Sequence, residues 1–218
     1  MIQILATKKL SSTEKKKLCD AKIELVEKNF IQTKPISFVK PLLHDYLIFT
    51  SKAAVQSVLK SEIENVYSIS CLCVGSKTKR FLEKKGFTVI ECTNYAEELT
   101  QIIDQKYSKN SFTFFCGTIR KDTIPNYFRQ NKIVYNEIIV YETALKTHKI
   151  EELFDGVLFF SPSGVNSFLK KNTAENKTCF CIGTTTAKAL ENKTENIVIA
   201  SHPTVETIIT DVIKYYKN

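Results

Sequence analysis

The chain has 218 residues, of which 43% are hydrophobic and 25% charged, values typical of a globular protein. Its 31 lysines and arginines exceed its 23 aspartates and glutamates, and the net charge of +8 favours a polyanionic partner, either a nucleic acid or a small molecule with many carboxylates. No segment approaches the ~18 consecutive apolar residues of a membrane span. Lysines follow the first apolar residues, the reverse of a secretion signal, so we expect a cytoplasmic protein.

Short apolar runs alternate with helix-like segments along the chain. The predicted strands, in chain order, are Ile2–Ala6, Tyr46–Thr50, Ser70–Val74, Thr88–Ile90, Phe112–Cys116, Gly156–Phe160, Cys179–Ile182 and Ile197–Ala200. The predicted helices that follow most of them are Ala53–Leu59, Lys77–Lys85, Ile124–Gln130, Val165–Lys171, Thr186–Glu191 and Val205–Tyr216. Repeated strand–turn–helix order indicates parallel sheets covered by helices on both faces.

Two helix starts carry capping signals. Asn94–Glu97 resembles a capping box that opens a helix after the predicted strand Thr88–Ile90. Pro203 and Thr204 open the equivalent helix near the end of the chain. Each signal follows the last predicted strand of one half of the chain.

The chain contains two similar halves. The run from Phe49 to Val55 resembles the run from Phe160 to Val165, and Cys73–Thr78 resembles Cys181–Thr186. The offset is about 110 residues, which is too long for a solenoid repeat and close to the size of one small domain. The sequence therefore predicts two similar α/β domains.

Two alternating stretches, Pro35–Val39 and Asn136–Tyr141, fall where the pattern crosses between the halves. If both are crossovers, residues 1–33 and 146–218 form a discontinuous domain, residues 42–136 form a continuous one, and residues 34–41 and 137–145 form a two-stranded linker. The predicted fold class is α/β, with two similar open parallel-sheet domains, flavodoxin-like or Rossmann-like. The linker is a plausible hinge beside a cleft between the domains.

The seven cysteines are expected to be reduced core residues. Cys71 and Cys73 alternate within an apolar run, as do Cys179 and Cys181, so each pair faces one side of a strand. Zinc sites favour C-x-x-C pairs with a second pair or histidines nearby, whereas the three histidines here are scattered. The glycine-rich phosphate loop and the dinucleotide fingerprint are also absent, so we predict neither a metal nor a cofactor.

Serine, threonine and glycine cluster where predicted strands end and helices begin. There the first helical N–H groups are unpaired, the helix dipole is positive, hydroxyls add donors and glycine lets the backbone approach an anion. Each cluster could serve only as an N-cap, but their recurrence favours anion binding. The candidate binding residues are Thr50, Ser51, Gly75, Ser76, Thr78, Gly117, Ser161, Ser163, Gly164, Gly183, Thr185, Thr186 and Lys188. We expect Thr185, Thr186 and Lys188 on one wall of the site and Thr50 and Ser51 on the opposite wall.

Six short motifs occur in an order that matches a known enzyme family. They are Phe49-Thr50-Ser51, Val74-Gly75, Phe115–Gly117 with Arg120 and Pro125, Val140–Thr143, Phe159–Gly164 and Ile182–Ala187. Over nearly its whole length the chain thus resembles the uroporphyrinogen-III synthases.

The resemblance implies a cyclising lyase of haem biosynthesis. Such an enzyme closes the linear tetrapyrrole hydroxymethylbilane to uroporphyrinogen III through azafulvene and spiro intermediates, inverting ring D, without metal or cofactor. It also implies that Arg120 contacts the substrate, whose eight carboxylates suit the positive charge of the chain. We expect a monomer that binds neither nucleic acid nor membrane and that receives its substrate by transient hand-over from hydroxymethylbilane synthase.

Tyr141 is the candidate catalytic residue within this resemblance. The reaction needs a proton for a poor leaving hydroxyl, and a phenol with a pKa near 10 is protonated at neutral pH. Tyr141 could instead be a hinge residue that packs the linker.

Two other functions remain open at this point. A two-lobed binding protein for an anionic ligand would also pair two α/β domains around a hinge. A nucleic-acid binder is supported by charge alone.

Overall fold

The computed structural model describes residues 1–217, which form two compact units. The first unit contains Met1–Gln32 and the residues from Ala144 onward, and the second contains Thr33–Thr143. No helix within residues 1–217 is long and apolar enough to cross a membrane.

The helices and strands alternate along the chain, with one short 3₁₀ helix at Val66–Ser68. In chain order they are β1 (Gln3–Ala6), α1 (Ser12–Asp20), β2 (Glu24–Glu27), β3 (Ile31–Pro35), β4 (Tyr46–Phe49), α2 (Lys52–Lys60), β5 (Cys71–Val74), α3 (Ser76–Lys84), β6 (Val89–Thr93), α4 (Ala96–Lys106), β7 (Phe112–Gly117), α5 (Thr123–Gln130), β8 (Tyr135–Leu145), β9 (Gly156–Phe159), α6 (Pro162–Leu169), β10 (Thr178–Cys181), α7 (Thr184–Lys188), β11 (Ile197–Ile199) and α8 (Val205–Lys217).

The two sheets share one strand order. The first unit has a 5-stranded sheet in the order β11-β10-β9-β1-β2, and its neighbouring strands are parallel. The second unit has a 6-stranded sheet in the order β3-β8-β7-β4-β5-β6, in which the pairs from β8 to β6 are parallel. Without β3, the second sheet has the order β8-β7-β4-β5-β6, which matches the first sheet read in the opposite direction, from β2 to β11. The equivalent strands are β8 and β2, β7 and β1, β4 and β9, β5 and β10, and β6 and β11. The internal similarity of the sequence is therefore a duplication of topology, and the α/β fold class is confirmed.

Each sheet is buried on both faces, which explains its continuous apolar runs. In the second unit Phe49 faces α2 and α3, whereas the adjacent Ile48 faces α4 and α5. In the first unit Leu5 packs with residues of α6 and α7, whereas Ile4 packs with residues of α1 and α8. Because side chains alternate along a strand, every second residue supplies one of the two cores.

The structure differs from the predicted elements at three places. Strand β2 was not predicted, because the charged residues at its ends, Glu24 and Glu27, interrupt the apolar pattern of this half-buried edge strand. The stretch Pro35–Val39 is not a strand: β3 ends at Pro35, although the N–H of Ile36 still donates to the Val140 carbonyl of β8 at 3.1 Å. Strand β8 extends beyond the predicted Asn136–Tyr141 at both ends, and it is the neighbour of β3 at the edge of the second sheet.

The helix starts also differ in detail. The predicted capping box at Asn94–Glu97 is displaced by one residue, because the carboxylate of Glu98 accepts hydrogen bonds from the N–H groups of Asn94 and Tyr95 at 2.9 and 3.3 Å. The Thr204 hydroxyl caps α8 as predicted, accepting from the N–H of Thr207 at 3.0 Å. Helix α7 begins two residues earlier than predicted and is shorter.

Candidate functional site

The carboxyl ends of the parallel strands lie at one edge of each sheet, where open α/β folds bind ligands at the point at which the chain connections diverge. In the second unit this switch point lies between β4 and β7, since β4 leads to α2 on one face and β7 leads to α5 on the other. In the first unit it lies between β9 and β1, which lead to α6 and α1. Each unit therefore has a candidate site of its own.

Tyr141 lies at the switch point of the second unit. It is in register with Gly117, the last residue of β7. A Cβ atom on Gly117 would lie 2.3 Å from Cζ and 2.5 Å from Cε2 of the Tyr141 ring. Gly117 is buried, so its role here is to leave room for the aromatic ring of Tyr141.

The Tyr141 hydroxyl is held by the residue that starts α2. Ser51 accepts a hydrogen bond from the N–H of Ala54 at 3.2 Å, which caps the helix. The same Ser51 Oγ donates to the Tyr141 Oη at 3.1 Å. One side chain thus fixes both the helix start and the phenol, with the partly exposed Thr50 just before it.

Burial raises the pKa of Tyr141, and the hydrogen bond from Ser51 opposes this by lowering it. The thiol of Cys116 lies nearby, and burial raises the pKa of that thiol to about 12. Both groups are therefore protonated at neutral pH. A protonated phenol with a donor to its own oxygen has the state required of a general acid.

Four helix starts have no acidic residue either at the N-cap or in the first turn. They belong to α2, α3, α6 and α7, whereas α5 also lacks one in its first turn but has Asp122 as its N-cap residue. Acidic residues at this position normally stabilise a helix by about 0.3–1 kcal/mol, and α1, α4 and α8 do carry them. The acid-free starts follow equivalent strands of the two sheets, so their positive helix ends are not neutralised from within the first turn.

The residues around α3 separate into three roles. Gly75 caps the helix with a φ of +91°, a conformation that side-chain-bearing residues rarely adopt. Ser76 is exposed at the helix start. Thr78 is only 5% exposed, so its hydroxyl is not presented at the surface.

In the first unit the structure brings Ser161, Ser163 and Gly164 together at the switch point. Ser161 Oγ accepts from the N–H of Gly164 at 3.1 Å and lies 3.1 Å from the Ser163 hydroxyl. Thr7, which was not among the predicted residues, lies beside them, and its hydroxyl donates to the Leu158 carbonyl at 2.7 Å.

Lys8 was not predicted either. Its ammonium lies 4.3 Å from the centre of the ring of Phe160, which is the residue that follows β9. The sequence could have indicated Thr7 and Lys8, because they directly follow the predicted first strand, as the other candidate residues follow theirs.

The residues predicted around α7 are not equally accessible. Thr185 and Lys188 are exposed, whereas Thr186 is only 2% exposed. Gly183 caps the helix in an extended conformation that any residue could adopt. Lys188 lies in the last turn of this short helix, away from its start.

Arg120 is engaged by carboxylates of its own chain. Its Nε donates to Glu137, and its Nη1 lies 2.5 Å from Asp122 Oδ1. These hydrogen bonds raise the pKa of Arg120, with Glu137 as the main cause. In the structure Arg120 thus links β8 to the turn after β7, and its contact with the substrate stays a prediction.

Among residues 1–217, no group of three or more His, Cys, Asp or Glu side chains is arranged to hold a metal ion. A pocket of about 550 Å³ opens beside Tyr141 within the second unit. Its volume is within the range of small-molecule sites, which is about 300–1,000 Å³.

Comparison with known sequences decides the family. The family model described as uroporphyrinogen-III synthase HemD matches residues 12–210. The chain belongs to the uroporphyrinogen-III synthase family. A curated relative, the porphyrin biosynthesis protein HemD of Ruminiclostridium josui, is 24% identical over 98% of this chain. The chain spans about half of that relative, 48% of its length.

Solved structures of uroporphyrinogen-III synthases share the fold. The enzyme from Helicobacter pylori aligns with a TM-score of 0.73 at 20% identity, covering 99% of this chain and 100% of its own. A mutant of the Thermus thermophilus synthase aligns with a TM-score of 0.66 at 11% identity, covering 100% of this chain and 98% of its own. At these identities the alignments establish only that this chain shares its fold with the two synthases.

Proposed function

We propose that this chain is a uroporphyrinogen-III synthase, a cyclising lyase that converts hydroxymethylbilane to uroporphyrinogen III. The observation that carries the proposal is the match of the family model over residues 12–210. The alternative of a two-lobed anion-binding protein shares the general architecture but does not account for that match.

The electrostatics of both units suit a substrate with eight carboxylates. The net charge is +8, and the acid-free helix starts offer unpaired N–H groups and hydroxyls. We assign carboxylate binding to the exposed or half-buried members of the predicted set other than Arg120, which pairs with Glu137 and Asp122 in this structure. These are Thr50, Ser51, Ser76, Ser161, Ser163, Thr185 and Lys188, with backbone N–H groups near Gly75, Gly164 and Gly183. Many weak contacts would hold the substrate in one orientation, which is what inversion of ring D requires.

In the proposed first step Tyr141 donates its phenolic proton to the terminal hydroxyl of the bilane. The C–O bond breaks, water leaves and an azafulvene cation remains, while Ser51 stabilises the phenolate by its hydrogen bond to Oη. A substituted carbon of ring D then attacks the cation to form the spiro intermediate, which fragments and recloses with ring D reversed. The final closure releases a proton that returns Tyr141 to its starting state. No cofactor takes part in these steps.

The experiment is an isomer assay. Hydroxymethylbilane is generated enzymatically, incubated with the protein and analysed chromatographically as uroporphyrinogens I and III. Isomer III that increases with protein concentration supports the synthase. Isomer I alone contradicts it, and binding of the bilane without turnover would favour the two-lobed binding protein.

We further propose that the enzyme acts in the cytoplasm as a monomer and receives its unstable substrate directly from hydroxymethylbilane synthase. Its seven cysteines are all free, which suits a reducing compartment. Analytical ultracentrifugation tests the monomer, and a shift of its sedimentation on adding the upstream enzyme tests the hand-over complex.

A further inference from the structure

The pocket beside Tyr141 is a surface of the second unit that the sequence motifs do not account for. It is formed by α2, α3 with its C-cap residue Lys85, β3 and Tyr141 of β8, and Gln56, Lys60 and Phe81 are among its other lining residues. Two aromatic rings, those of Phe81 and Tyr141, form part of its wall. None of its lining residues is an aspartate or a glutamate.

Lys60 and Lys85 line this pocket, Lys52 lies beside it at Phe81, and none of the three has its charge balanced by a carboxylate of residues 1–217. Lys52 and Lys85 lie with their Nζ atoms 5.6 and 5.8 Å from the centre of the Phe81 ring, within the range of a cation–π contact. Within the described chain, no carboxylate lies within ion-pair distance of Lys52, Lys60 or Lys85. Lys52 also occupies the first turn of α2, where a positive charge opposes the helix dipole. Helix stability therefore does not explain its presence.

A short series of contacts joins these lysines to the phenol. Tyr141 accepts from Ser51, Lys52 follows Ser51 in the chain, and Lys52 and Lys85 both approach Phe81. The pocket thus combines an aromatic wall, several ammonium groups and the candidate general acid within one unit.

We propose that this pocket binds a single pyrrole ring of the substrate through its acetate and propionate side chains. The inference rests on the proposed function and names which residues would hold the ring. Phe81 contacts the flat face of the pyrrole, and Lys60 and Lys85 pair with its two carboxylates. This arrangement would place the adjoining methylene bridge near the Tyr141 hydroxyl, where the leaving group must be protonated.

The first test is kinetic. The double variant Lys60→Gln/Lys85→Gln removes both charges and keeps side chains of similar length, and Lys109→Gln removes an exposed charge of the same unit outside the pocket. We expect KM for hydroxymethylbilane to rise about three- to tenfold in the double variant, since two exposed ion pairs each contribute modestly, with kcat within about twofold. KM of the wild type should rise with ionic strength more steeply than KM of the double variant. An unchanged KM in the double variant, or an equal rise in Lys109→Gln, would overturn the proposal.

The second test is direct binding and does not depend on turnover. A monopyrrole with one acetate and one propionate side chain is titrated into the wild-type protein while the amide resonances of Gln56, Ser57 and Phe81 are followed. We expect these resonances to shift with the diacid, to shift less in the double variant and not to shift with the dimethyl ester. Shifts confined to other residues, or equal shifts with the ester, would refute the pocket. If the diacid binds here but the wild type forms no isomer III, the proposed function fails while the ligand class of the pocket stands.

Discussion

Substitution of Gly117 by alanine tests whether the Tyr141 ring is held by close packing. The added Cβ would lie 2.3, 2.5 and 2.8 Å from three atoms of that ring, all far below ordinary contact distances of about 3.4–4 Å. The neighbouring atoms belong to a rigid aromatic side chain on the adjacent strand. The ring must therefore move by about 1 Å, or β7 must separate from β8.

Either movement has two measurable consequences. Overpacking of this kind lowers the free energy of unfolding by about 1–3 kcal/mol. A shift of about 1 Å also breaks the 3.1 Å hydrogen bond between Ser51 and Tyr141 and misplaces the phenol, which can reduce turnover by about 10²-fold. Urea denaturation measures the first effect and formation of isomer III measures the second.

Gly164→Ala is the matched control for stability. A Cβ at Gly164 would lie 3.4 Å from Ser161 Oγ and 3.6 Å from Thr7 Oγ1, which are ordinary contacts. We expect its free energy of unfolding to equal that of the wild type or to exceed it by up to about 1 kcal/mol, because alanine meets no steric conflict at this buried position and favours helix α6 over the unfolded chain. If Gly117→Ala is as stable and as active as the wild type, the ring of Tyr141 is not confined by Gly117 and the geometry assigned to the site is wrong.

The other variants probe individual roles. Tyr141→Phe should lower turnover by about 10²–10⁴-fold, because it removes the hydroxyl that carries the acidic proton, and turnover within about threefold of the parent would exclude the acid role. Its Tm should change little, because the ring is kept and Ser51, which loses its hydrogen bond to Oη, still caps α2. Ser51→Ala should lower stability by about 1 kcal/mol through loss of the cap. It also removes the hydrogen bond that lowers the pKa of Tyr141, so the phenol should stay protonated, and the enzyme active, to higher pH. A shift of the alkaline limb of the pH–activity profile to lower pH would contradict this. Thr185→Ala should reduce activity about tenfold with unchanged stability, because Thr185 is exposed and Gly183 caps α7; lower stability with unaltered kinetics would make Thr185 structural. Arg120→Gln should lower stability by about 1–3 kcal/mol in urea denaturation, because Glu137, 18% exposed, loses its partner, and unchanged stability would show that the pair contributes little.

Much of the fold followed from local pattern. The eight predicted apolar strands all exist, because buried parallel strands are short, β-branched and bounded by turn residues. The duplication also predicted which segments share a sheet, and the common strand order of the two sheets agrees with it. The failures lie at sheet edges. Strand β2 has a neighbour on one side only, so it tolerates the charged residues Glu24 and Glu27, which obscured the strand pattern. Pro35 ends β3, whereas the alternating pattern alone predicted that an extended stretch begins there.

The site was predicted residue by residue, but its contacts were not. Ser51 and Tyr141 were each singled out, yet their hydrogen bond joins residues 90 positions apart and depends on the packing of β8 beside β7. Glu137 draws Arg120 into an ion pair across the same strands, which no motif spacing reveals. Burial of Thr186 depends on how α7 packs on its sheet, so a hydroxyl that looks available in sequence is covered in the structure.

The central claim is that this chain directs closure of hydroxymethylbilane with inversion of ring D. The most direct measurement is carbon-13 NMR of the product formed from bilane labelled at the bridging methylene carbons, compared with the product of the unassisted reaction. The account predicts the label pattern of uroporphyrinogen III in an amount that grows with protein concentration and falls strongly in Tyr141→Phe. A product with the pattern of isomer I at every protein concentration would contradict it.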